Sequence, residues 1–338
     1  MRKLVVIALG IITLALGSCS NDLEINAPWK DITVVFGLLN KDQTTHYIHI
    51  SKAFLGEGDA MEFASQFDSL YYDPTVLDVK VEEILNGNVT RTFTCIPTTD
   101  IPKDTGTFSS PSQILYKFET SATQKINPNA TFRLTVKNTN TGNIVTAESP
   151  VVKNLILSSP SAIMTETNIY PQNATFIKWK TAENGKMYEL FLRFKYREYS
   201  ELDPSNVVSK QVELSLGRIT TDNTLGGKEM SMNIENSTIY QTLNAYISPS
   251  TVDNPMIRIA DSLQFQINVA SDDLTTYLNV NQPSNTIAQE RPQYTNITNG
   301  LGLFSSRVAL IRTLYLNDFT VDSLRGNPLT EDINWQPR

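Results

Sequence analysis

Tyr188, Leu190, Leu192, Phe194 and Tyr196 recur at every second position, apolar or aromatic, and Glu189, Arg193, Lys195 and Arg197 stand between them. A period of two over that length belongs to a strand with one buried face, and a slip of one residue would bury the charges, so the register is pinned. Just upstream, Thr175, Ile177 and Trp179 alternate with Lys178 and Lys180, and Glu183-Asn184-Gly185-Lys186 turns the chain between the two runs. A chain organised around this stretch is committed to β-sheet.

The same period runs through the first half. Ile32–Leu39 is an apolar run, Thr45–Phe54 is rich in β-branched and aromatic residues, and Leu77, Val79 and Val81 alternate with Asp78, Lys80 and Glu82. Asn86-Gly87 is the strongest hairpin signal, because both residues tolerate the positive φ of a type I′ turn. Val89–Ile96 is the returning strand, and Phe132, Leu134 and Val136 repeat the alternation before Asn138–Asn143 turns the chain into Ile144–Ala147. A short helix is expected at Asp59–Asp68, capped by Asp59 with Phe63 and Phe67 on one face. About seven short strands in about 120 residues read as an antiparallel β-sandwich of immunoglobulin or transthyretin type over 29–150. Ser149-Pro150 closes it, and the boundary falls between Pro150 and Ser161. The Trp-turn-Tyr-x-Leu arrangement of Trp179–Leu190 resembles the early strands of a fibronectin type III domain over about 25 residues. Val207–Leu216 and Ile257–Val269 continue the strands. Helices are expected at Ser237–Ile247, with Ile239, Leu243, Tyr246 and Ile247 on one stripe, and after Ser271-Asp272-Asp273, carrying Leu274, Tyr277 and Leu278. The expected fold class is mainly β: two β-sandwich domains, the second (151–338) with helical insertions.

The N-terminus has a different character. Arg2 and Lys3 precede an apolar run, Leu4–Leu16, which is shorter than the roughly 20 residues that span a bilayer and fits the core of a signal peptide. Leu16-Gly17-Ser18-Cys19 follows it and resembles the lipobox of bacterial lipoproteins. That resemblance implies cleavage before Cys19, lipidation of Cys19 and attachment to a membrane through it; an uncleaved signal anchor and an unlipidated secretory signal are the alternatives. Residues 1–18 are then the signal peptide and 19–28 a tether, whose eight or nine residues reach about 30 Å when extended. Asn21-Asp22-Leu23-Glu24 is mildly acidic, as in surface-displayed lipoproteins of Bacteroidota.

Charge and cysteine content narrow the function classes. The chain carries 28 Lys and Arg against 35 Asp and Glu, and loss of Arg2 and Lys3 with the signal leaves a net charge of −9. No basic block occurs, so nucleic acid is not an expected partner. The two cysteines are Cys19 and Cys95; with Cys19 acylated, no internal disulfide can form, and Cys95 reads as a small core residue on the face of Val89, Arg91 and Phe93.

No G-x-S-x-G elbow occurs. His46 and His49 are the only histidines, and on a strand a spacing of three puts them on opposite faces, so they do not form a shared zinc site. Asp100 and Asp104 with Gly106 do not complete a calcium-loop pattern. Asp272 and Asp273 suit a helix N-terminus, and two-carboxylate hydrolysis has no singled-out pair. Asn299-Gly300-Leu301-Gly302-Leu303-Phe304 lacks the third glycine of a phosphate loop, since Ser305 follows; a turn or bulge before the strand Leu303–Leu310 is the better account. Trp29, Tyr71, Tyr72, Tyr294, Tyr315 and Trp335 are candidate recognition aromatics. Asp68-Ser69-Leu70, Asp261-Ser262-Leu263 and Asp322-Ser323-Leu324 resemble a short O-glycosylation motif of Bacteroidota.

Three stretches carry a wider resemblance: Leu16–Cys19, the strand Thr33-Val34-Val35-Phe36-Gly37, and Tyr294-Thr295-Asn296-Ile297-Thr298-Asn299-Gly300-Leu301-Gly302-Leu303-Phe304. Together they resemble a family of Bacteroidota outer-membrane lipoproteins grouped as a domain of unknown function. The resemblance implies a lipid-anchored outer-membrane protein, on the surface or the periplasmic face, whose gene often lies near TonB-dependent receptors. A TonB-dependent receptor or another envelope protein is the implied partner, with no cofactor and no catalytic residue. The expectation is therefore a non-enzymatic binding or accessory protein in nutrient uptake or surface interaction. A fimbrial subunit or anchor is the alternative and a carboxylate-based surface hydrolase the third. The fimbrial route calls for cleavage after the first strand, where Lys41 is the only candidate.

Overall fold

The computed structural model describes residues 32–53, 67–104, 112–282 and 293–337. Leu16–Cys19, Trp29, Gly106 and most of the helix expected at Asp59–Asp68 lie outside them. The fold is mainly β and of sandwich type, with sheets that do not close into a barrel. No helix among the described residues is long and apolar enough to cross a membrane.

The first part of the chain forms β1 (Ile32–Leu39), β2 (Thr45–Ala53), a single helical turn α1 (Phe67–Leu70), β3 (Leu77–Leu85), β4 (Asn88–Thr94), β5 (Ile96–Thr98), β6 (Leu115–Glu119), β7 (Thr131–Asn138) and β8 (Ile144–Pro150). One sheet runs β1-β2-β6-β5 and the other β4-β3-β7-β8. Asn86 and Gly87 take φ of 52° and 79°, the two positive values that a type I′ hairpin requires. Between these sheets lies a core that includes Val35, Ile48, Ile50, Val79, Val81, Phe132 and Leu134. Cys95 is buried there as expected, and burial pushes its thiol up to about 12.

The second part forms β9 (Ile156–Ser159), β10 (Glu166–Thr167), β11 (Ala174–Lys180), β12 (Met187–Ser200), β13 (Asp203–Thr220), β14 (Glu229–Glu235), α2 (Asn236–Tyr246), β15 (Met256–Ala270), α3 (Asp272–Val280), β16 (Leu301–Leu316), α4 (Asp318–Arg325) and β17 (Trp335–Gln336). The three-stranded sheet β14-β11-β9 faces β13-β12-β15-β16 across the second core. The alternating runs around Trp179 and Tyr188 are neighbours in the chain but not in a ladder: β11 and β12 lie in opposite sheets, and Trp179 and Tyr188 meet across the core at 5.8 Å. The register of β12 is fixed from both sides, by β13 and by β15. The buried stripe of α2 is Asn236, Ile239, Tyr240 and Leu243. Of the expected stripe, Ile239, Leu243 and Ile247 are buried but Tyr246 is 75 % exposed; Tyr240 is buried instead, its hydroxyl donating to the Ile169 carbonyl at 2.8 Å.

The two sandwiches are not separate. β16 runs parallel to β1 from Val34↔Leu301 to Leu39↔Ser306, then antiparallel to β15 from Ala270↔Arg307 to Ser262↔Tyr315. One strand thus serves both halves, and the sheets fuse into a ten-stranded sheet. Along β16 the even-numbered side chains point to the cores: Phe304 belongs to the first, and Val308, Leu314 and Leu316 to the second. Both cores therefore sit on the same face of the common sheet, and the opposite face is left open. The division at Pro150–Ser161 holds for the chain before Ile297 but not after it, because Ile297 and Phe304 return to the first core.

Glycine makes this joint possible. Gly302 has φ of 110°, and a Cβ there would lie 2.0 Å from the Val35 carbonyl oxygen; at Gly300 it would lie 2.7 Å from that of Thr33. The bulge expected before the strand is thus a glycine inside the strand, pressed onto the backbone of β1.

Candidate binding groove

The stretch from Tyr294 to Phe304 acts as a clamp at the joint. Tyr294 donates its hydroxyl to Asp273 Oδ1 at 2.5 Å. The Asn296 amide donates to Asp273 Oδ2 at 3.2 Å and to the Phe304 carbonyl at 2.7 Å, and accepts from the Phe304 N–H at 3.0 Å. Burial first, then the bond to Asp273, raise the Tyr294 hydroxyl far above its ordinary value. Thr298 exchanges backbone hydrogen bonds of 2.8 and 3.2 Å with Thr146 of β8, and Asn299, at φ 60°, donates to the Ile144 carbonyl. On the core side Ser306 Oγ donates to the Pro150 carbonyl at 2.7 Å and accepts from the Val152 N–H at 3.0 Å. Tyr294, Asn296, Thr298 and Asn299 thus tie α3, β8 and β16 together.

What the clamp positions is α3. Ser271 caps it, accepting from the Leu274 N–H, and shares a 2.5 Å hydrogen bond with Ser305. The helix lies on the open face of the sheet, where Leu274 packs with Leu303, Met187 and Ala270, flanked by Leu38, Tyr277, Leu278 and Tyr294. Beyond the helix the open face forms a groove of about 610 Å³. Its floor is β16-β1-β2, through Leu303, Phe36, Leu38, Thr45 and Tyr47; Tyr277 and Leu278 form one wall and Ile101 borders it. Phe36 and Tyr277 meet edge to face at 5.8 Å, and Phe36 is 37 % exposed. Arg307 is the one charged residue of the lining; it is exposed and makes no ion pair among the described residues. The volume lies within the roughly 300–1,000 Å³ usual for small-molecule sites, and apolar walls with few polar groups are their usual chemistry.

A second hollow of about 610 Å³ lies on the same face over β12, β13 and β15, lined by Lys195, Arg197, Ser209, Gln211, Asp261, Ser262 and Tyr315. Its floor is already paired: Arg197 makes a bidentate contact of 2.9 Å per arm with Asp261.

The remaining sequence candidates go elsewhere. His46 and His49 point to opposite faces of β2, as the strand spacing demands. His46 is in the core, stacked on Phe118 at 4.7 Å, and burial lowers its pKa to about 4. His49 faces Tyr71, its Nε2 3.4 Å from the hydroxyl; burial, then the charge of Lys103, lower it. Tyr71, Tyr72 and Trp335 are buried, while Tyr315 is 54 % exposed on the open face. Asp100 is engaged by Lys117 at 2.6 Å. Of the Asp-Ser-Leu triplets, Ser262 is buried and the Ser323 hydroxyl is engaged with that of Tyr240 at 2.8 Å, so neither offers a free hydroxyl; Ser69 is half-buried on α1. The buried carboxylates among the described residues lie in different sandwiches. Glu83 is held by Arg91 and by the Asn127 N–H at 3.0 Å, and Glu198 by Arg258 at 3.0 Å and Lys210 at 2.5 Å. Burial alone would raise both; these partners outweigh it and hold both below the usual carboxylate range.

The sequence reading missed the groove and both ion pairs. A signal for the groove was present: Ile32–Leu39 is apolar at odd and even positions alike, which a strand with one solvated face does not need. No family model matches the chain, and no curated protein matches it.

Proposed function

We propose that the chain is a lipid-anchored, non-enzymatic protein of the bacterial outer membrane that captures a ligand or partner in the groove over β16-β1-β2. The observation that carries this reading is the groove itself, an open apolar hollow beside a clamp that spends many hydrogen bonds to position its wall. The lipobox Leu16–Cys19 supplies the anchor, and a TonB-dependent receptor or another envelope protein is the partner that such a location offers. The fimbrial alternative is less well supported. It calls for removal of β1, which is paired on both sides, by cleavage near Lys41, which is 8 % exposed and bonded to Asp42.

The test is purification of the intact lipoprotein and its Phe36→Asp variant from solubilised outer membranes. A ligand or envelope protein that accompanies the wild type and is lost from the variant is the expected result. Identical companions in both would overturn the groove as the binding site. Cys19→Ala should move the protein from the membrane to the soluble fraction, and retention in the membrane would overturn the anchor.

A further inference from the structure

We infer that the groove takes a single-chain amphiphile with a terminal carboxylate, its head on Arg307 and its hydrocarbon along Leu303, Leu38 and Phe36 beneath Tyr277. The inference rests on the reading of the groove as a binding site and names the ligand class. Two observations carry it. The first is the state of the backbone in the floor: β1 is paired with β16 on one side and with β2 on the other, so the N–H and C=O groups under the groove are consumed by the ladders. A peptide laid there would find no strand edge to extend, and peptide binding by strand addition depends on one. Only side chains meet the ligand, and they are apolar over most of its length.

The second is charge. Arg307 is the one charged residue of the lining, at the point where β16 passes from β1 to β15. A guanidinium binds a carboxylate through two parallel hydrogen bonds, a geometry that an alcohol or an ammonium head cannot reproduce. The hollow at the other end of the open face lacks this combination: its arginine, Arg197, is already paired with Asp261, and Lys195, Lys210, Ser209, Gln211 and Ser262 stand where the first groove has an apolar run.

The experiment uses the full chain carrying Cys19→Ala, so that no detergent competes. Dodecanoate, dodecanol and dodecylammonium are titrated below their aggregation concentrations by calorimetry, against this protein and its Arg307→Gln and Arg307→Lys derivatives. Saturable binding of one dodecanoate per chain is expected, weakened about tenfold or more by Arg307→Gln and less by Arg307→Lys. Dodecanol should bind weakly and alike to all three. Thermal unfolding checks that the derivatives fold, as an exposed arginine leads one to expect. Equal dodecanoate affinity in wild type and Arg307→Gln, or dodecylammonium binding as tightly as dodecanoate, would overturn the inference. If no amphiphile binds but membrane companions are still lost with Phe36→Asp, the ligand class fails and the binding groove stands.

Discussion

Over β12, β13 and β15 the open face of the common sheet is laced with side-chain hydrogen bonds, whereas over β1 and β2 it is lined by Phe36, Leu38 and Tyr47. In the laced half Arg193 donates to Glu213 at 2.6 Å and also to Gln266, Gln264 donates to Thr313 at 3.2 Å, and Gln266 to Asn268 at 2.7 Å. Both halves are the back of a sandwich, continuous through β16, and either pattern gives a folded sheet. A solvated sheet face is ordinarily of the first kind. The second kind leaves apolar area in contact with water, and on a soluble surface such patches mark interaction sites. The difference teaches that the groove is not required by the fold, because the same sheet a few strands away does without one.

The joint is where a single substitution should separate the two halves most completely. Gly302→Ala would place a Cβ 2.0 Å from the Val35 carbonyl oxygen, at a φ of 110° that an L-residue resists. A loss of about 3 kcal/mol or more is expected. Chemical denaturation should then show the first sandwich separating from the second as two transitions, and loss of the groove with it; an unchanged single transition would mean that the halves are not coupled through this contact.

The two faces of β2 differ as the two halves do. Tyr47 looks into the groove and His46 into the core. Because burial lowers His46 from 6.5 to about 4, the unfolded chain binds a proton that the folded one refuses. Stability should therefore fall as pH drops from about 6.5 towards 4 and level off below, by an order of 2–3 kcal/mol. Glu83 and Glu198, held low by their partners, act in a lower window: their contribution is present above the unfolded carboxylate pKa and is lost as pH falls through the folded value. His46→Phe keeps the stack on Phe118 and should remove the share of His46 from the upper window, leaving that of His49, which burial also lowers. If urea midpoints of the variant track the wild type from pH 6.5 to 4, His46 is not the group responsible.

Much of this architecture was legible in sequence, and the exceptions share a cause. Period two located the strands, Asn86-Gly87 the hairpin and Ser271 the cap, because each is set by neighbours within a few residues. The fusion through β16 was not legible: it depends on Leu301–Ser306 meeting Val34–Leu39, some 270 residues apart, and its local sign, Gly302, reads equally as a turn. Glu83 and Glu198 sit on core-facing positions of strands where alternation leads one to expect apolar side chains, and only their partners, Arg91 across the hairpin and Arg258 on a strand 60 residues on, make them tolerable. The groove was hidden for the converse reason. Apolar residues on the second face of β1 look like additional core until the sheet order shows that nothing among the described residues covers Phe36 entirely.

The smallest effects test whether the two halves of the open face differ in purpose as they do in chemistry. Phe36→Ala removes a ring that is already 37 % exposed, so about 1 kcal/mol of stability is expected to go, while ligand capture should be abolished. Arg193→Ala removes the centre of the lacing, yet its pair with Glu213 is partly exposed, at 20 and 42 %, and such pairs contribute at most about 1 kcal/mol and less in salt. Its effect on stability should be comparable and should shrink between low and high ionic strength, and its effect on capture should be nil. Equal stabilities with unequal capture would separate a surface that only closes a sheet from one that receives a ligand. If Arg193→Ala impairs capture as much as Phe36→Ala does, the binding surface extends across the whole open face and the groove is only one end of it.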